Sequence, residues 1–282
     1  MKQFEDYLVR EYSSSRLLVR ARVRFPVACW PAPKAQWSDP DSALGELDPA
    51  TPREVELNAR FAKGRMFNGE IYAMRRLRCS GRLRLDTKCG SYFDSLNTCE
   101  AMELELMEGV PGLPLRTGQP LMDGTKRCAA IGVATLLVLR ERAGHSVVLA
   151  PIAAKGMPHR AGQLHVVPSG MLQPPYSVIH TVRTELSEEL HDLDPPQDAR
   201  IYFTGIAINL LNLRPEICTM VIVDRPPSLR LGAEFQPGAR VVPFGSDAHL
   251  VRALQLHDTP ITPPGAAALF LGARVLRQLL KP

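Results

Sequence analysis

No stretch of this sequence stays apolar for long. The longest such run, Cys128 to Leu139, covers about twelve residues and contains Gly132 and Thr135, against the ~20 that a membrane-crossing helix needs. The opening residues, MKQFEDYLVREY, place Glu5, Asp6 and Glu11 where a secretory signal would need an unbroken apolar core. Cysteine is sparse: Cys29, Cys79, Cys89, Cys99, Cys128 and Cys218 form no CxxC pair and have no His at zinc-ligand spacing. That spacing speaks against a zinc ribbon or a disulfide framework and for reduced, structural thiols. Blocks of like charge are missing too, with 18 basic and 17 acidic groups in residues 1–125 and 16 and 12 in residues 126–282. A net charge of +5 spread this thinly gives no polyanion-binding arm. A cytoplasmic protein with neither a nucleic-acid nor a membrane partner is expected.

What the sequence does have is material for a core. At 282 residues with 45% apolar content it can fill one large domain or two modest ones. Residues 16–25 alternate Val19, Ala21, Val23 and Phe25 with arginines, the period of a half-buried strand. From Cys29 to Pro52 the chain is rich in Pro, Asp and Ala and reads as a long irregular connection. Thr51, Pro52 and Glu54 mark the start of a helix. Two strands around Ser80-Gly81 read as a hairpin with Arg75, Arg76, Arg78, Arg82 and Arg84 on its exposed side. A helix-prone stretch from Ser95 leads to the loop PGLPLRTGQP, the expected boundary between residues 1–125 and 126–282.

The second region alternates β and α. AIGVATLLVL suits a strand buried on both faces. HSVVLAPIA, QLHVVPSGML, IYFTGIAINLL and EICTMVIVD read as further strands, and YSVIHTVRTELSEELHDL and PPGAAALFLGARVLRQLL as helices. Asn209 and Asn212 are expected in a turn.

Acid is concentrated on the first of these helices. With Glu185 set at zero and about 100° per residue, Glu188 falls near 300° and Glu189 near 40°. The three carboxylates share a face bordering a stripe of Ile179, Val182, Leu186 and Leu190 expected to be buried. Like charges at this spacing repel, and a hard divalent cation with oxygen ligands reverses the sign of that interaction. His180 and His191 fall on the other side and read as surface residues.

Gly170, then Thr184-Glu185-Leu186-Ser187-Glu188-Glu189-Leu190-His191 after thirteen residues, resembles the box of the Nudix hydrolase family. The glycine and all three acids are in register, while Tyr176, Thr184 and His191 stand where the box has Glu, Arg and Gly. The resemblance is closer to the animal UDP-glucose/UDP-galactose diphosphatase branch. It extends to Arg65–Tyr72 and to Leu85–Thr98, with its pattern Tyr92-x-Asp94-x-Leu96-x-Thr98, and covers roughly residues 55 to 225.

The resemblance implies an α/β fold: a Nudix-type α/β/α sandwich with a mixed sheet in residues 126–282, preceded by an N-terminal α+β extension, residues 1–125, that contacts substrate. It implies a pyrophosphohydrolase acting on a nucleoside diphosphate linked to a second group, with an NDP-sugar as the substrate class. Its cofactor would be Mg²⁺, with Mn²⁺ as the alternative, held by Glu185 and Glu189, Glu188 serving as a further ligand or as the base. Phe67, Tyr92, His165, Gly170 and Gln173 would meet the substrate. Lys155 and Arg160 are the nearby cations available to its phosphates, and Glu234 could add a late acid. A homodimer is compatible with this reading.

Overall fold

The computed structural model describes residues 27–31, 35–37, 68–79, 83–103, 122–153, 160–190, 199–226, 228–232, 235–254 and 259–281. In chain order the strands are β1 (Val27–Pro31), β2 (Ala35–Trp37), β3 (Glu70–Cys79), β4 (Leu83–Ser91), β5 (Ala129–Ala130), β6 (Gly132–Glu141), β7 (Gly144–Pro151), β8 (Leu164–Val166), β9 (Ser169–Met171), β10 (Ile201–Asn209), β11 (Pro215–Asp224) and β12 (Arg240–Phe244). The helices are α1 (Tyr92–Ser95), which widens into a π-helical turn at Leu96–Glu100, then α2 (Val178–Glu189), α3 (Asp247–Leu254) and α4 (Pro263–Leu279). No helix among the described residues is long and apolar enough to cross a membrane.

An eight-stranded mixed sheet runs in the order β1-β10-β11-β6-β7-β12, with β8 added on β7 and β9 on β6. Its axis is the parallel pair β6–β11, in register from Gly132 against Glu216 to Arg140 against Asp224. The apolar run in β6 explains this position, because Gly132 to Leu139 are all buried, as a strand covered on both faces must be. Side chains alternate across the strand. Val133, Leu137 and Leu139 pack with Val182 and Leu186 of α2 on one face, and Ala134, Leu136 and Val138 pack with Leu269, Leu271 and Leu276 of α4 on the other. The result is an α/β/α sandwich. Each of those large side chains contributes about 1.5–3 kcal/mol through burial.

α4 lies close on the sheet because its inner face is small. Ala266, Ala267, Ala268 and Ala273 are buried, and a Cβ on Gly272 would overlap Leu136. Thr262 caps the helix by accepting from the Gly265 N–H at 3.1 Å, with Pro263 at the first helical position.

The second sheet has the order β2-β4-β3-β5. The predicted hairpin is its centre, an antiparallel β3–β4 pair with Arg75, Arg76, Arg78 and Arg84 exposed. The two sheets are laced together where Tyr72 N–H donates to Leu172, Ile131 N–H to Tyr72 and Leu172 N–H to Ile131, each at 2.9 Å. The chain also crosses between them. β1 joins the edge of the large sheet, Val27 facing Asn209, whereas β5, from beyond residue 125, pairs with β3.

Two expectations are corrected. The segment after Cys29 is not irregular throughout, since Val27–Pro31 and Ala35–Trp37 are strands; their pairing partners lie far along the chain, and prolines masked the pattern. QLHVVPSGML is not one strand but two, β8 pairing with β7 and β9 with β6. The strand expected at 16–25, the helix expected from Thr51 and Arg82 lie outside the described residues.

Candidate functional site

The acid helix follows directly from its strand. β9 carries Ser169 and Gly170 beside β6, a short loop leads to Ser177, and the Ser177 hydroxyl caps α2 by accepting from the His180 N–H at 3.2 Å. The far end is fixed by the loop after β11. Gly232 N–H donates to the Glu189 carbonyl at 2.8 Å, and Leu231 bridges to Leu190. A Cβ at position 232 would stand 3.0 Å from the Glu188 carbonyl oxygen, so a glycine lets the loop close on the helix end without displacing it.

The rotation of α2 differs from the one its apolar residues predict. Val178, Thr181, Val182, Leu186 and Glu189 are its buried residues, while Ile179 is 43% exposed. Measured from Glu185, that buried face runs from about −40° to about 100° and is centred near 30°. Glu185 and Glu189 therefore fall inside the face turned to the sheet, rather than at its border, and Ile179 is displaced to solvent. His180 is exposed, as expected, and stacks on Tyr176 with ring centroids 4.2 Å apart.

Both inward carboxylates meet β9. The Glu185 carboxylate occupies the space a Cβ on Gly170 would fill. Glu189, 2% exposed, accepts the Ser169 N–H through Oε2 at 3.2 Å. Glu188 points to the exposed side of the helix. Among the described residues no group of three His, Cys, Asp or Glu side chains converges at metal-binding spacing.

The remaining residues singled out in the sequence are distributed as follows. Tyr92 is half-buried at the start of α1, and Gln173 is exposed in the loop before α2. His165 bonds through Nδ1 to the Thr262 hydroxyl, at the start of the helix covering the opposite face of the sheet from α2. Burial, then the nearby Arg160 charge, push its pKa down to about 3, so the imidazole is neutral at physiological pH. Arg160 is 5% exposed and its guanidinium is bound to Glu103. Phe67, Lys155, His191 and Glu234 lie outside the described residues.

The Tyr92-to-Thr98 pattern acquires a local explanation. Asp94 forms a reciprocal capping box with Ser91, Leu96 is buried, and the Thr98 hydroxyl accepts the Cys128 N–H at 3.0 Å while donating to the Asp94 carbonyl at 2.7 Å. Three of the four pattern residues thus build the turn that presents Tyr92.

Sequence reasoning missed a buried ionic cluster next to that turn. Glu100, Glu103, Arg160, Asn212 and Arg214 are each at most 5% exposed. Asn212, expected only as a turn residue, donates to Glu103 at 2.7 Å, and Arg214 binds Glu100. Glu216 stands at the edge of the cluster, its carboxyl in the space a Cβ on Gly132 would fill. Burial raises its pKa to about 7, against the opposing pull of Arg214 and Arg160. Glu100 and Glu103 lie in a stretch that reads only as helix-prone, and their partners are more than fifty residues away in sequence.

No family model and no curated protein matches this sequence. Among solved structures the chain is similar to the Nudix domain of a Shewanella oneidensis protein in complex with ADP ribose, at 15% identity over 53% of this chain and 90% of that one, TM-score 0.41. It is also similar to a MutT protein of Methanosarcina mazei, at 19% identity over 54% and 96%, TM-score 0.37. A Caenorhabditis elegans Ap4A hydrolase shows 14% identity over 53% and 98%, TM-score 0.34.

Proposed function

We propose that this chain is a Nudix-type pyrophosphohydrolase that cleaves a nucleoside diphosphate linked to a second group. An NDP-sugar is the preferred class, and the products are a nucleoside monophosphate and a sugar phosphate. The observation that carries the reading is the rotation of α2. Burying a carboxylate is costly unless it is compensated, and this helix turns Glu185 and Glu189 toward β9 while leaving Ile179 43% exposed.

Two hard oxygen donors side by side fit the way Mg²⁺ is held, by one or two carboxylates together with substrate phosphates. Glu185 and Glu189 would hold it, with Mn²⁺ as the alternative. When bound, the ion supplies charge neutralisation at the phosphoryl oxygens. The chain's own residues supply positioning: Gly170 leaves room for the Glu185 carboxylate, the Ser169 N–H fixes Glu189, and the Gly232 loop holds the helix end. Glu188, exposed on the same helix, would serve as a further ligand or take the proton from an attacking water. Phosphoryl transfer depends chiefly on such positioning and electrostatics. We assign the contacts to the nucleotide and sugar to Tyr92, Phe67 and Gln173 together with the Gly170 loop, and treat residues 1–125 as an extension built onto the second region.

A second reading, a nucleotide sensor without turnover, is favoured by Tyr176, which stands at the box's first acidic position and is exposed and stacked on His180. The test is a panel of NDP-sugars, dinucleotides and CoA incubated with the purified protein, with MgCl₂ or with EDTA, and products identified by mass. Mg²⁺-dependent release of a nucleoside monophosphate supports the hydrolase. An untouched panel with retained nucleotide binding supports the sensor.

A further inference from the structure

The buried ionic cluster joins three parts of the chain. Glu100 and Glu103 lie on the helical segment 92–103, Arg160 lies just before β8, and Asn212 and Arg214 lie in the turn between β10 and β11. Arg160 Nε donates to Glu103 Oε1 at 3.1 Å and its Nη2 binds Glu103 Oε2, with Glu100 at 3.7 Å. Arg214 binds Glu100 through Nη1 and the Ala130 carbonyl through Nε at 3.4 Å. Asn212 Nδ2 reaches both acids, at 2.7 Å to Glu103 and 3.4 Å to Glu100. Two guanidinium groups thus meet two carboxylates, and the cluster is internally neutral.

Such a cluster is a poor source of stability. Desolvating four charges costs about what their attraction returns, and apolar replacements of similar volume are often neutral or better. What a fork-shaped guanidinium does well is fix geometry, because its donors match a carboxylate in one orientation only. The segment it fixes here begins with Tyr92 and ends with Glu103, and is tied a second time by Thr98 to Cys128. Cys128 leads through β5 into β6, the strand that pairs with β9, against which the Glu185 and Glu189 carboxylates of α2 lie.

We infer that Glu100, Glu103, Arg160 and Arg214 are positioning residues, which set the register of segment 92–103 on the large sheet and so place Tyr92 relative to Glu185 and Glu189. The inference rests on the hydrolase reading for its kinetic arm. Arg160 acts on the substrate through Glu103 and the helix, not by touching a phosphate.

The test is the double variant Arg160→Met with Glu103→Leu, which removes one cation and one anion and leaves Glu100 with Arg214. Melting temperature is expected to change little, since balanced charges are removed while the Asn212 amide keeps only its 3.4 Å acceptor on Glu100. With UDP-glucose and MgCl₂ as the probe, KM should increase about tenfold while kcat stays within about twofold. Amide hydrogen exchange should accelerate in residues 92–103 and not in residues 178–189. An unchanged KM overturns the inference whatever the exchange shows, as does acceleration spread equally over both segments. If wild-type protein hydrolyses no NDP-sugar, the functional reading fails separately, and exchange confined to residues 92–103 decides this inference alone.

Discussion

The Glu185 carboxylate lies against the Cα of Gly170, in the space a Cβ would fill. Glycine is therefore required here for a close approach rather than for a turn. A Gly170→Ala protein should fold, at a cost of about 1–3 kcal/mol from overpacking, and should lose at least about tenfold in kcat because Glu185 is pushed aside. Steady-state kinetics alongside thermal unfolding check both. Full activity in a stably folded Gly170→Ala protein would remove Glu185 from the site.

Thr135 and Thr219 face each other across the β6–β11 pair, buried, with their hydroxyls 2.8 Å apart. Replacing either alone by Val strands the other hydroxyl among apolar side chains, with an expected loss of about 1–3 kcal/mol. Replacing both should cost less than the sum of the single losses. Urea unfolding of the four proteins of this double-mutant cycle measures the difference.

Glu216 and His165 impose opposite pH dependences on stability. The Glu216 pKa is raised to about 7, so the folded state holds its proton longer than the unfolded state does, and this group lowers stability as pH climbs from about 4.5 to about 7. The His165 pKa is depressed to about 3, so this group lowers stability as pH falls from about 6.5 toward 3. In the overlap the two slopes offset each other. A Glu216→Gln protein should gain stability over wild type at pH 8, on the order of 1–3 kcal/mol, and little at pH 4. Urea unfolding across pH 4–8 checks the sign, and a larger gain at pH 4 than at pH 8 would contradict it.

The parts of this fold that were legible in the sequence are those whose pattern is local. The continuous apolar run of β6 suits a strand covered on both faces, and the β3–β4 hairpin, the acid helix and α4 each carry their own periodicity. What was hidden depends on partners remote in sequence. β1 pairs with β10, about 180 residues away, and its prolines suggested a loop. Periodicity places Ile179 in the apolar stripe, whereas the face presented to β9 includes Glu185 and Glu189 and leaves Ile179 exposed. Arg160 reads in the sequence as a cation available to phosphate, but its guanidinium is taken up by buried Glu103, 57 residues away.

Glu189 connects the fold to its proposed chemistry most directly. Its Oε2 accepts the Ser169 N–H, and a glutamine at this position retains an acceptor for that bond while losing the charge. The decisive measurement is NDP-sugar hydrolysis by wild type and Glu189→Gln across a MgCl₂ titration, with melting temperatures determined in parallel. The account predicts Mg²⁺-dependent turnover by wild type and a loss of at least about 100-fold in the variant, with a melting temperature unchanged or slightly higher because carboxylate repulsion is relieved. Equal turnover by the two proteins at every Mg²⁺ concentration would contradict it.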